Sequence, residues 1–220
     1  MSKIREFGLF LCYIILFHTN SAFAQNPGSF YVDEPRTFEA GLIAGTNFSQ
    51  VDGDRFAGYH KVGLNIGGIV YAHLAPNLAA SIELLYSEKG SRSNKANISV
   101  SGTYSINDMK INLRYAEIPI MLNYFDKRKS NFGGGLSYSY IITAEELIST
   151  EPTYVPAEKY PFNKSDLQLV LGGNLLLYKG LFLNLRFQYS LINVRKKYDP
   201  EMGRSEQFNN LWTLRLMYLF

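Results

Sequence analysis

The 220-residue chain has little of what disulfide-bonded domains, metal sites and helical membrane proteins depend on. Its one cysteine, Cys12, lies in an N-terminal apolar stretch that we expect to be cleaved off, so neither a disulfide framework nor thiol chemistry is expected of the mature protein. Its histidines at positions 18, 60 and 73 have no partner at the spacing of a metal site or a catalytic triad. Beyond the first residues, no apolar run reaches the length of a membrane-spanning helix. The net charge of +3 is small and its Lys and Arg are scattered. We therefore expect no metal, no cofactor, no enzymatic activity and no nucleic-acid partner.

The N-terminal segment has the pattern of a secretory signal peptide. Two basic residues precede an apolar stretch, 7–17, that is too short to cross a bilayer, and Ala22 and Ala24 place small residues before a cleavage site. The alternative is an uncleaved N-terminal anchor. The predicted division is a signal peptide over 1–24, an N-terminal periplasmic segment over 25–37 and a barrel domain over 38–220.

Apolar and polar residues alternate with a period of two along most of the remaining chain, which indicates β-strands. The eight predicted strands are 39–49, 62–74, 78–87, 111–124, 131–142, 166–175, 181–191 and 212–220. In the fourth strand the parity of the apolar residues changes after Tyr115, which predicts a β-bulge near Glu117 and Pro119. Short and long connections alternate along the chain, as in outer-membrane barrels with periplasmic turns and extracellular loops.

Alternation alone does not show whether the apolar face of the barrel points outward or inward. A soluble lipocalin-like barrel also has eight strands, but its apolar face points inward. Here the polar face carries many Gly, Ser and Asn residues with charges of both signs, which suits the narrow interior of an eight-stranded barrel. Tyr and Phe recur near strand ends, as in interfacial aromatic girdles. We predict an all-β, eight-stranded antiparallel up-and-down transmembrane barrel with its apolar face outward.

Two sets of residues are candidates for a role. The first is a polar network in the predicted lumen, formed by Glu83, Arg114, Glu117, Arg186 and Arg215. It is interpreted as a structural salt-bridge network, with a proton or ion path or a catalytic carboxylate as the alternative. The second is Phe220, whose aromatic side chain ends the last strand and which we interpret as a C-terminal assembly signal. A transmembrane barrel with such a signal implies two partners, the outer-membrane lipids and the barrel-insertion machinery.

Three further motifs allow a functional and a plainer interpretation. Residues 133–135 are three glycines, which suit either a phosphate loop or a crowded lumen. Residues 52–54, Asp-Gly-Asp, offer oxygen ligands but lack the later carboxylates of a calcium loop, which favours a surface turn. Residues 195–197, Arg-Lys-Lys, suit either lipopolysaccharide phosphates or a solvated loop base.

Three segments resemble a known family. GLIAGTNFS in the first strand, ELLYSEKG at the end of the third and YAEIPIMLNY in the fourth are similar to the PorT-like outer-membrane β-barrel family of Bacteroidota, and the resemblance extends over residues 38–220. It implies an eight-stranded barrel in the outer membrane. The family takes its name from a member needed for type IX protein secretion, and it offers no catalytic residue to carry over.

The function predicted from these features is that of a non-enzymatic outer-membrane barrel whose loops present an interaction surface. Such a protein would be an accessory of the cell envelope, with protein secretion suggested by the resemblance and envelope or secretion proteins as its partners. The alternatives are a small-solute porin and an outer-membrane lipid-modifying enzyme.

Overall fold

The computed structural model describes residues 37–53, 58–93, 98–100, 104–151, 161–195 and 206–220. The predicted signal peptide, and all but the last residue of the predicted periplasmic segment, lie outside the described residues. Within the described ranges, no helix is long and apolar enough to cross a membrane.

The described residues form antiparallel strands wherever the sequence alternates. Their bounds are β1 Phe38–Asp52, β2 Lys61–Ala75, β3 Leu78–Ser93, β4 Ile98–Val100, β5 Tyr104–Phe125, β6 Asn131–Glu151, β7 Ser165–Tyr178, β8 Leu181–Ser190 and β9 Phe208–Leu219. The short β4 pairs with β5. The other strands each pair with the next, β1 pairs with β9, and β3 pairs with β5. Eight strands therefore close into a barrel, which leaves no unpaired edge along its wall.

The two faces of the wall differ as predicted. Large apolar side chains point outward around the barrel and are between 40% and 67% exposed, among them Leu42, Ile66, Val70, Leu84, Ile120, Leu136, Leu171 and Leu216. Their neighbours along each strand point inward and are buried, and many of these are polar or charged. A soluble protein would leave such a continuous apolar belt facing water, whereas a lipid bilayer solvates it. The fold class and the outward apolar face are confirmed.

Exposed aromatic residues border this belt at both ends. Near the short turns they are Phe38, Tyr124, Phe132, Tyr178, Tyr218 and Phe220, and near the long connections they are Tyr138, Tyr140 and Trp212. On β6, Phe132 and Tyr140 are eight residues apart, which at the rise and tilt of a barrel strand is about 20 Å along the membrane normal. The spacing fits aromatic girdles at the two interfaces of a bilayer.

One part of the wall continues beyond the closed barrel. β3 pairs with β2 only as far as Ser87, and β6 pairs with β7 only as far as Tyr140. Ser87 lies opposite Tyr115, which lies opposite Ile141, so both ladders stop at the same level. Beyond it, residues 88–92 of β3, 110–114 of β5 and 142–146 of β6 continue as a three-stranded extension, which we call the raised wall.

The structure places the β-bulge on a different strand from the one predicted. Arg114 pairs with Thr143 and Tyr115 with Ile141, so the extra residue is Ile142 of β6. β5 keeps one parity from Lys110 to Tyr124, where Tyr115 and Glu117 are both fully buried. The prediction of a bulge near Glu117 and Pro119 is wrong. The change in the sequence pattern instead marks the level at which β5 leaves the closed barrel.

Candidate functional site

The lumen near the short turns is filled by apolar side chains. A buried cluster there includes Ile43, Ile69, Tyr71, Ala79, Leu85, Phe182, Met217 and Leu219, with Phe125 and Leu176 packed against it. Tyr71 and Phe125 meet edge to face, with ring centroids 5.7 Å apart. Large rings and aliphatic chains in close contact pack this part of the lumen.

Next along the lumen is an ion-paired cluster of one carboxylate and two guanidinium groups. Arg186 donates to both oxygens of Glu83, at 2.5 and 3.0 Å, and Arg215 donates to Oε2 at 3.0 Å. All three side chains are at most 3% exposed. β3, β8 and β9 supply them, so this cluster ties together strands that are far apart in the chain. An Arg that grips both carboxylate oxygens also fixes their orientation.

Arg215 extends this cluster into a wider amide network. Its Nε donates to Asn184 Oδ1 at 2.8 Å, and its Nη1 donates to Asn65 Oδ1 at 3.2 Å. Asn184 in turn donates to Asn174 Oδ1 at 2.6 Å. Gly45 provides the space, because a Cβ at that position would collide with the backbone and side chain of Arg215. Glycine in β1 is therefore the counterpart of a long side chain in β9.

A second ion pair lies nearer the long connections. The ammonium group of Lys89 lies 2.9 Å from Glu117 Oε2 and donates to Gln168 Oε1 at 2.5 Å. Ser137 and Gln188 donate to the other oxygen of Glu117, at 2.8 and 2.5 Å. Lys89 and Glu117 are fully buried. The sequence-based prediction omitted Lys89 because it ended the third strand at residue 87. The parity of Glu83, continued by six residues, would have found it.

A third acidic group, Asp166, faces the lumen near the long connections. Its Oδ2 accepts hydrogen bonds from Ser190 at 3.0 Å and from Asn209 at 2.9 Å. Asn209 also donates to the hydroxyl of Tyr115 at 3.3 Å. Asp166 Oδ1 and Asn209 Oδ1 are buried without a hydrogen-bond partner among the described residues. The polar network is therefore less completely satisfied here than around Glu83.

Charges of the two signs balance in the interior. Among the described residues the buried charged side chains are four acids and four bases: Glu83, Glu117, Glu146 and Asp166, with Lys89, Arg186, Arg195 and Arg215. Buried charges are tolerated when they are paired and hydrogen-bonded, and removing one partner leaves an expensive unpaired charge. The arrangement holds the lumen side chains in place.

The structure places four of the five predicted network residues in the lumen and the fifth outside it. Glu83, Glu117, Arg186 and Arg215 are buried as described above. Arg114 lies on the outer face, where its side chain is 40% exposed. The prediction for Arg114 is wrong because it assumed a change of parity after Tyr115, and β5 has none between Arg114 and Pro119.

The outer surroundings of Arg114 are charged. Its guanidinium lies 3.7 Å from Glu88 and 3.7 Å from Glu145, and it donates to Thr143 Oγ1 at 3.3 Å. Glu88 also accepts hydrogen bonds from the hydroxyl of Tyr86 and from the backbone N–H of Leu64. The outer face of the raised wall is thus polar, whereas the outer face of the closed barrel is apolar.

The remaining motifs have structural explanations where they are described. A Cβ on Gly133 or Gly135 would collide with the neighbouring strand β5, so these glycines permit close strand contact. Arg195 is not free at a loop base: it is buried, and it pairs with Glu146 at 2.7 Å. Lys196 and Lys197 lie outside the described residues. Within the described ranges, no group of three potential ligands could hold a metal ion.

Phe220 lies on the outer face at the short-turn end and is 50% exposed. Its backbone N–H donates to the carbonyl of Ala40 at 3.0 Å, so the last residue is still joined to β1. Its use as an assembly signal stays a prediction.

Comparison with known proteins points to one family. The chain matches the outer membrane protein beta-barrel domain family over residues 23–196. No curated protein matches it. Among solved structures, it is similar to the attachment invasion locus protein Ail of Yersinia pestis, at 11% identity over 84% of this chain and 100% of that one, with a TM-score of 0.47. Neisserial surface protein A is 9% identical over 84% and 98%, with a TM-score of 0.47. A major outer membrane protein of Thermus thermophilus is 14% identical over 84% and 100%, with a TM-score of 0.45.

Proposed function

Because the chain belongs to the outer membrane protein beta-barrel domain family and is a bacterial outer-membrane protein, we propose that it is a non-conducting, non-enzymatic barrel that presents an interaction surface. Short turns of such barrels face the periplasm and longer loops face outward. This orientation puts the raised wall and the long connections outside the cell.

The balanced, ion-paired lumen is the observation that carries this proposal. An open pore needs a continuous water path, whereas here Glu83, Arg186 and Arg215 bridge strands across the interior. The cluster at the short-turn end adds packed apolar side chains to the lumen, and the Tyr71 hydroxyl within it already accepts a hydrogen bond from Asn174. A barrel filled in this way serves as a support, which leaves the raised wall and the long connections to make contacts with partners.

Planar-bilayer recording of the purified mature protein tests the absence of conduction. We expect no steady single-channel steps, with a porin of known conductance recorded in the same bilayers as the reference. Steady open steps, or swelling of liposomes in small sugars, would favour the alternative of a small-solute porin.

Interaction partners are tested by cross-linking in the native outer membrane. A photoreactive residue at Thr143, on the outer face of the raised wall, should cross-link to an envelope or secretion protein, as the resemblance to PorT-like barrels suggests. A matched probe at Lys127, in the short turn, reports contacts at the opposite end. Adducts from Lys127 alone would contradict the proposed surface.

Lipid modification is the enzymatic alternative. Mass spectrometry of lipid A from a deletion strain should match the parent strain, and loss of an acyl chain or a headgroup in the deletion strain would favour an enzyme.

A further inference from the structure

The outer face of the raised wall carries an excess of positive charge. Its described charged residues are Arg92, Lys110 and Arg114, with Glu88 and Glu145, and the side chain of Lys61 at the start of β2 lies within electrostatic range of the three cations and of Glu88. Among the described residues, three cations thus share this surface with two carboxylates, and Lys61 lies near its edge. We call these four basic residues the cationic patch.

Two members of the patch are placed where like charges repel. Arg92 of β3 lies directly opposite Lys110 of β5 in the ladder, at a level of the wall that is exposed on its outer side. Like charges at directly opposed positions destabilise a sheet. Within the described part of the chain, neither side chain forms a salt bridge with a carboxylate.

The two acidic residues of this face are engaged elsewhere. Both lie near Arg114, and Glu88 also accepts hydrogen bonds from Tyr86 at 2.9 Å and from the backbone of Leu64 at 3.1 Å. The described carboxylates of this surface therefore do not neutralise the repulsion between Arg92 and Lys110. An anion lying between the two side chains would convert it into attraction.

The position of the patch identifies the kind of anion. Tyr140 belongs to the aromatic girdle. It lies opposite Ala116 of β5, which in turn lies opposite Tyr86 of β3. Along β5, Arg114 is two residues beyond Ala116 and Lys110 is six residues beyond it. The patch therefore extends from about 5 Å to about 15 Å beyond the girdle. That depth is greater than a phospholipid headgroup and suits a phosphorylated oligosaccharide headgroup.

From this geometry we infer that the cationic patch binds the phosphate groups of an outer-leaflet lipopolysaccharide. Arg114 and Lys61 would meet phosphates close to the acyl chains, and Arg92 with Lys110 would clamp a phosphate farther out. Arginine suits this role because its planar guanidinium can donate two parallel hydrogen bonds to one phosphate. Basic pockets on membrane proteins bind anionic lipid headgroups by the same chemistry. The inference rests on the outward orientation of the long connections given in the proposed function.

Binding of defined lipopolysaccharide to the purified mature barrel tests this inference. The double variant Arg92→Gln/Lys110→Gln should bind roughly thirtyfold more weakly, since each basic residue near an anionic membrane surface contributes about a fivefold change in affinity. The matched control is Lys127→Gln/Arg128→Gln, which removes the same charge from the short turn at the opposite end. The control should bind as the parent protein does.

Three comparisons separate the source of the phosphate. The parent protein should bind lipopolysaccharide more tightly than phosphatase-treated lipopolysaccharide, phosphatidylglycerol or inorganic phosphate. Equal binding of phosphatidylglycerol would overturn the assignment to a glycolipid. Equal binding of the treated and untreated forms would overturn the role of phosphate.

Stability without glycolipid distinguishes a ligand site from a structural element. In detergent free of lipopolysaccharide, Arg92→Gln/Lys110→Gln should be at least as resistant to urea as the parent barrel, because it removes a repulsion. Loss of urea resistance together with loss of binding would show that the pair supports the fold instead. None of these readouts depends on whether the barrel conducts, so the inference and the proposed function can fail separately.

Discussion

The closed barrel and the raised wall are continuous along β5 but carry opposite kinds of side chain on their outer faces. In the closed barrel, Ile118 and Ile120 of β5 point outward and Glu117 points inward. In the raised wall, a few residues along the same strand, Arg114 points outward and Leu113 is fully buried. The strand keeps its parity across this change, so neither a slip nor a turn exchanges the faces.

The difference shows that the surroundings of each segment select its outer residues. Lipid requires apolar side chains outside and leaves the narrow lumen to paired polar groups. Beyond the aromatic girdle, water meets the outer face, and on the inner face the apolar side chains of β5 pack beside the ion-paired Lys89 and Glu146. The position on β5 at which the outer residues change from apolar to polar thus marks where the strand leaves the membrane.

The largest expected effect comes from breaking the charge balance of the closed barrel. Glu83→Gln leaves Arg186 and Arg215 with no carboxylate and should lower the free energy of unfolding by about 3–5 kcal/mol. Urea titration of the barrel refolded in lipid vesicles measures it. The same substitution at the exposed Glu145 should cost less than about 1 kcal/mol.

A double variant sharpens this test of pairing. Arg215→Gln combined with Glu83→Gln restores a neutral balance, so the double variant should lose less stability than the sum of the two single variants. Additive losses would mean that the lumen charges do not act as a unit.

The next largest effect is expected from a charge on the outer face. Two single variants compare a charge on the lipid side of the aromatic girdle with a charge on its water side. Ile120→Lys puts an ammonium group on the lipid-facing part of β5 and should cost about 2–4 kcal/mol. Asn112→Lys puts it on the outer face of the raised wall and should cost less than about 1 kcal/mol. Equal costs, measured by urea unfolding in vesicles, would contradict the assignment of the two regions to lipid and water.

A smaller effect is expected from packing in the lumen. Gly45→Ala adds a methyl group against the backbone and side chain of Arg215 and should cost about 1–3 kcal/mol. Gly68→Ala is the control, since a Cβ there meets only one atom, at an ordinary contact distance of 3.6 Å. A shift of unfolding midpoint in both variants alike would indicate a loss of strand flexibility rather than displacement of Arg215.

Most of the closed barrel could be predicted from the sequence because lipid imposes a regular alternation there. Eight strands, their order and the outward apolar face follow from positions such as Leu64, Ile66 and Val70 opposite Asn65 and Gly67. Glu83, Arg186 and Arg215 fall on the inward parity by the same rule, although their mutual contacts depend on barrel register that a single strand does not reveal.

The raised wall could not be predicted because the rule used for the barrel does not hold beyond the girdle. Along β5 the alternation continues there with polar residues outward and apolar residues inward. In the sequence this looks the same as a one-residue slip of the strand. The distinction needs the partner strands: only the pairing of Arg114 with Thr143 and of Tyr115 with Ile141 places the extra residue in β6. Lys89 was omitted for a related reason, since a charged residue after Ser87 resembles the start of a loop.

The smallest change in stability, with a large change in assembly, is expected at the C-terminus. Phe220 is half exposed at the short-turn edge of the apolar belt, where a charge costs only about 0–1 kcal/mol. Phe220→Asp should therefore refold in vesicles with nearly the parent resistance to urea. If the insertion machinery recognises the aromatic residue, the same variant should be depleted from the outer membrane of cells and accumulate in the periplasm.

Phe132→Asp, in the same girdle on β6, is the matched control and should be depleted less. Equal depletion of the two variants would assign the effect to the girdle rather than to the predicted assembly signal, because both positions offer lipid an aromatic ring.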